Sequence, residues 1–170
     1  MTIKNSISTL LLLFLATAFS FAQEKASPAK VAEGTAGGSK ITINYSSPAV
    51  KGRMIWGDLV PLGQVWRAGA NEATTFTTTK DILVEGQKLP AGTYSFFIIP
   101  NEGTSTMIFN KVAKQWGAFN YDSKEDQLRV NVPSQQTSSM EERLVYEVKP
   151  DKFEIRWEYG KAEAKIAPAN

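Results

Sequence analysis

The side chains best suited to chemistry crowd into one stretch, Ser47 to Thr75. Lys51, Arg53 and Arg67 are its cations, Asp58 and Glu72 its carboxylates, and Trp56, Trp66 and Asn71 lie among them. An arginine presents a planar fork of donors that matches a carboxylate or a phosphate. An indole face accepts a cation or a sugar ring. Pro48, Pro61, Gly52, Gly57 and Gly63 make the stretch read mostly as loop, with a helical turn over 55–60 and a short strand over 65–67. Loops carried on a rigid sheet are where binding residues gather. The stretch admits two readings. In one, Lys51, Arg53, Trp66, Arg67, Asn71 and Glu72 line a ligand site. In the other, Arg53 and Arg67 pair internally with Asp58 and Glu72, while Trp56 and Trp66 plug the core.

Other chemistries are closed. The chain contains no histidine and no cysteine. Ser-His-Asp triads, Cys-His dyads and ordinary zinc sites are therefore excluded, and so are disulfides. Acid–base catalysis is left to carboxylates. Asp58 and Glu72 would have to lie about 5–10 Å apart to act as a glycosidase pair. With Asn71 the same two could hold Ca²⁺, although no EF-hand or Asp-rich repeat supports it. Ser27-Pro28-Ala29-Lys30 matches a Ser-x-x-Lys pattern but has no companion motif. Gly34 to Lys40 lacks the Gly-Lys-Ser/Thr ending of a phosphate loop. No catalytic residue, metal or cofactor is assigned.

The elements that position these residues begin after a targeting segment. Lys4 precedes an apolar run from Leu10 to Phe21, and Ser20-Phe21-Ala22 sets small residues before Gln23. This pattern predicts a signal peptide over 1–22, cleaved between Ala22 and Gln23. With no cysteine at the cleavage point the protein would carry no lipid anchor, and it would work in the periplasm or outside the cell. No transmembrane segment is expected after cleavage. The net charge is +2, and removal of Lys4 with the leader lowers it by one. Nothing in that balance steers the chain toward nucleic acid or an anionic membrane.

Residues 23–39 are rich in Ala, Gly, Ser, Lys and Glu and read as a flexible linker. A single domain over 40–168 follows. Ile41, Ile43 and Tyr45 alternate with polar residues, and so do Phe153, Ile155, Trp157 and Tyr159. Tyr94 to Ile99 is a continuous apolar run that suits a central strand covered on both faces. Further strands are expected over 74–84, 106–111, 128–132, 142–149 and 162–166. About nine short strands with regular turns predict an all-β fold, an antiparallel β-sandwich.

Tyr45 to Arg53, Val65 to Thr74 and Leu89 to Ser95 carry a resemblance. They read Tyr-Ser-Ser-Pro-Ala-Val-Lys-Gly-Arg, Val-Trp-Arg-Ala-Gly-Ala-Asn-Glu-Ala-Thr and Leu-Pro-Ala-Gly-Thr-Tyr-Ser. In that order they resemble the hallmarks of domain-of-unknown-function family 2911, over most of the chain after Lys40. The resemblance implies a secreted or periplasmic bacterial β protein and no particular activity. It adds Tyr94 to the candidate residues Arg53, Trp66, Arg67, Asn71 and Glu72. The leading functional expectation is a non-catalytic module that binds a small polar ligand, a glycan or an envelope protein through the Lys51–Glu72 face. A carboxylate-dependent hydrolase and a structural protein without ligand are the alternatives.

Overall fold

Alternation of apolar and polar side chains builds nine strands in the computed structural model, which describes residues 26–169. The leader, its Ala22–Gln23 junction and the first part of the expected linker lie outside the described residues. The strands are β1 (Ala29–Ala36), β2 (Ser39–Ser46), β3 (Thr74–Thr78), β4 (Ile82–Val84), β5 (Gln87–Leu89), β6 (Gly92–Ile99), β7 (Thr104–Asn110), β8 (Asp126–Lys149) and β9 (Lys152–Pro168). Among the described residues the one helical element is a 3₁₀ turn over Ser123–Glu125. The expected turn of helix over 55–60 is instead a non-helical turn closed by Val60 N to Ile55 O and Gly57 N to Val60 O. No helix among the described residues is long and apolar enough to cross a membrane.

All strand pairs are antiparallel, and they form one sheet in the order β1-β2-β3-β6-β7-β8-β9-β4-β5. The all-β expectation holds, but two separate sandwich sheets are not seen. The reason lies in β8. Its first part pairs with β7 through Pro133, and from Ser134 it pairs with β9. One bent strand thus carries the hydrogen-bond ladder past the core, where the sequence pattern suggested two strands. The sheet folds over on itself. Phe153 of β9 packs against Phe76 of β3 and Phe96 of β6, with ring centroids 5.1 and 5.6 Å apart, although these strands are not neighbours in the ladder.

The linker expectation needs correction. Residues 29–36 form β1, paired along its length with β2. Gly37 and Gly38 close that hairpin with φ of 55° and 72°, the two left-handed residues that a tight hairpin turn requires. β1 escaped the pattern because it is an edge strand with mostly exposed side chains. Its Gly34 lies against β8 so closely that a Cβ would sit 2.9 Å from Val148 Cβ. Small residues that suggested a flexible tether instead let the backbone approach.

β6 is covered on both faces, as its apolar run predicts. Tyr94, Phe96 and Ile98 enter the main core, and Phe97 packs on the other side with Ala73 and Ile108. The core also buries phenols. Tyr146 Oη donates to Ala68 O at 2.7 Å and Tyr94 Oη to Pro90 O at 2.9 Å. Burial raises the pKa of Tyr45, Tyr94 and Tyr146, and burial with the bond to Asp126 pushes Tyr121 up to about 12. The folded chain therefore holds protons that the unfolded chain releases. This stabilisation is complete below the unfolded tyrosine pKa of about 10 and is lost as pH rises toward the folded values. Thermal melts with tyrosinate absorbance should show ionisation arriving together with unfolding. With the half-exposed Tyr159 replaced by Phe so that only the other four phenols are read, independent ionisation near pH 10 in a still-folded chain would contradict this burial.

Candidate functional site

The long connection between β2 and β3 is pinned at three places. Ser47 Oγ donates to Leu144 O at 2.7 Å, and Val50 N and Leu144 N exchange bonds with Glu142 O and Pro48 O. Trp66 forms a two-residue bridge with Ile98 of β6, at 2.8 and 2.9 Å. Lys51 and Gly52, at φ 48° and 68°, turn the chain just after the second anchor. Arg53 then folds back on that turn. Its Nε and Nη2 donate to Val50 O and Ala49 O at 3.0 and 2.5 Å.

These anchors bring Lys51, Arg53, Trp66 and Arg67 to the wall of one cleft of about 350 Å³, together with Leu59, Val60 and Trp157. Among the described residues no carboxylate lines it. Among the described residues neither Arg53 nor Arg67 makes an ion pair, which corrects the reading that they pair with Asp58 and Glu72. Arg67 is half-buried, and its Nε is buried with no partner among the described residues. Burial pulls its pKa down, yet a guanidinium stays charged at neutral pH. A buried cationic donor left unmatched is costly. An anion in the cleft would offset that cost.

The other candidates fall elsewhere. Asn71, at φ 60°, donates from Nδ2 to Ser46 Oγ at 3.3 Å and accepts Gly117 N on its carbonyl. It shapes the loop. Glu72 is exposed and bridges to Trp116 of the 111–122 loop. Asp58 is exposed in a turn. Neither carboxylate lines this cleft or the larger one described below, so neither site gathers the pair for acid–base work. Tyr94 lies in the core and fastens the turn before β6 through Pro90 O.

A second cleft, of about 520 Å³, was not visible in the sequence. Trp66 and Trp157 line both clefts, and Trp56 joins them on this side. Trp66 stacks on Trp157 with centroids 6.0 Å apart, and Trp56 meets both edge-on at 5.7 and 6.2 Å. Trp56 Nε1 donates to Trp157 O at 3.3 Å. This placement needs Gly160, where a Cβ would lie 2.5 Å from Trp56 Nε1. The signal in the sequence was that glycine, since a glycine inside a strand marks a close approach. Glu158 takes φ 54° and shifts the register of β9 against β8. The face that holds Phe153, Ile155 and Trp157 consequently ends there, and Tyr159 is 49% exposed instead of continuing it.

Residues 27–166 match the profile of a family described as protein of unknown function, DUF2911. The chain belongs to this family. No curated protein and no solved structure matches it. In this DUF2911 chain the first two of the three sequence motifs meet at the cationic cleft, through Lys51 and Arg53 on one side and Trp66 and Arg67 on the other. The third motif, around Tyr94, serves the turn that opens β6.

Proposed function

We propose that this DUF2911 chain is a non-catalytic binding module, exported by its 1–22 leader, that holds a small anion in the cationic cleft. The ligand class is a carboxylate or phosphate compound. The observation that carries the reading is the buried Arg67 Nε, without a partner among the described residues, in a cleft where those residues supply Lys51 and Arg53 and no acid. Guanidinium forks recognise planar oxyanions through paired, charge-assisted bonds. The wall of Trp66 and Trp157 lowers the local dielectric and strengthens those bonds. Asp58 and Glu72 line neither of the two clefts, which favours binding over hydrolysis.

Thermal shift with citrate, inorganic phosphate and acetate tests this, with Arg67→Met as the variant. At least one anion should raise the melting temperature of the wild type. Arg67→Met should weaken that response about ten- to a hundredfold in concentration, the worth of charged hydrogen bonds of about 1.5–3 kcal/mol. Without ligand the variant should melt no lower than the wild type, because replacing an unpaired buried charge by an apolar chain is neutral or stabilising. If the variant responds like the wild type, or if no anion stabilises either, the cleft is not an anion site.

A further inference from the structure

We infer that the larger cleft is a second binding site, built for a neutral oligosaccharide and sharing only the Trp66–Trp157 wall with the cationic cleft. Its volume of about 520 Å³ falls in the range of small-ligand sites. Trp56 and Tyr159 offer aromatic faces at its wall, with Trp66 and Trp157 behind them. Sugar C–H faces stack on such rings, and their hydroxyls need donors and acceptors in the same place. Asn101, Gln135, Gln136 and Glu158 supply both. Among the described residues their side chains make no hydrogen bond to protein, although Asn101 is engaged through its backbone.

Charge narrows the ligand class. Lys161 is the cation of this cleft, and it is held by Glu163 at 2.8 Å and Glu154 at 3.6 Å. Glu102 and Glu158 line the cleft without an ion-pair partner among the described residues. An acidic sugar would meet these carboxylates with no cation free to answer them. An organic cation would suit the rings and carboxylates but not the donors. A further unmatched donor is Trp157 Nε1. Trp157 is 2% exposed, lines this cleft as well as the cationic one, and its Nε1 has no acceptor among the described residues. A sugar hydroxyl supplies an acceptor, and an alkylammonium does not.

The backbone here is also committed to a costly shape. Glu158 sits in the left-handed region, where a residue with a side chain is strained. Register shifts interrupt the β8–β9 pairing between Gln136 and Glu141 and again between Glu141 and Val145. Bulges of this kind re-aim side chains beside functional sites. Gly160 completes the arrangement by letting Trp56 lie on β9.

Titration of tryptophan fluorescence with cellobiose, maltose and N,N′-diacetylchitobiose tests the assignment, with choline chloride and citrate as the other arms. At least one disaccharide should give a saturable change. Trp56→Ala should weaken that binding about tenfold or more, as truncation of an aromatic anchor does. Gln136→Ala is the second variant, because an exposed glutamine can be removed without disturbing the core; it should weaken the same sugar several-fold. Arg67→Met should leave sugar binding unchanged while it weakens the citrate response about ten- to a hundredfold, so the two sites fail independently. Saturation by choline alone, by no sugar, or by a sugar that both Trp56→Ala and Gln136→Ala bind as well as wild type would overturn the proposal.

Discussion

Phe153→Ala should lower the free energy of unfolding by about 3–5 kcal/mol, the usual cost of deleting a fully buried phenyl ring. Phe153 has no exposed surface and touches rings from three other strands: Phe76, Phe96 and Phe109, at 5.1, 5.6 and 6.3 Å. These strands are separated from β9 along the ladder, so the contacts are what hold the folded-over sheet against itself. The tilted and edge-on geometries add attraction beyond the area buried. Urea unfolding followed by circular dichroism measures the loss. Phe153→Leu, which keeps most of the volume, should cost about 1.5 kcal/mol or less. A loss below about 1 kcal/mol for the alanine variant would mean that the two faces of the sheet do not meet at this residue.

Gly160→Ala should be the most damaging change of a single methyl at the tryptophan wall. The new Cβ would lie 2.5 Å from Trp56 Nε1 and 2.7 Å from Cε2. The indole must move, and its bond to Trp157 O goes with it. Overpacking of this kind costs about 1–3 kcal/mol. The damage is steric, because Gly160 is not in the left-handed region. Gly38 provides the contrast: it has open space around its Cβ position and φ of 72°. Gly38→Ala should therefore cost only about 1 kcal/mol of backbone strain. A double-mutant cycle decides the mechanism at Gly160. With Trp56→Ala in place the methyl has room, so the two changes should be non-additive by about 1 kcal/mol or more. Additive costs would place the strain elsewhere.

How far the sequence could be read follows from the range of each interaction. β2 and β6 were legible because their burial repeats within the strand, at Ile41, Ile43 and Tyr45 and through the Tyr94–Ile99 run. β1 was not, since an exposed edge strand has no apolar face to display and its glycines answer to Val148 and Ala167 far along the chain. Glu154 shows the same limit. Its position predicted a solvent-facing carboxylate, yet it is 2% exposed beneath Lys149, Arg156 and Lys161, cations that reach it from β8 and β9. The site divided in the same way. The cluster of Lys51, Arg53, Trp66 and Arg67 was visible because one loop carries it. The ion pairs proposed for those arginines failed because charge complementarity along a sequence says nothing about which side chains face each other.

The sequence by itself determined the classes of chemistry closed to this protein, since no fold can create a histidine or a thiol that the chain lacks. It also determined the strand-forming character of the chain, because alternation is a property of neighbouring residues. The tertiary structure alone decided that one sheet folds over a single main core. It decided too that Trp157, about a hundred residues away in the chain, completes the wall shared by both clefts. Those outcomes depend on the register of long-range pairings and on close backbone approaches such as that of Gly160, and no local pattern encodes either one.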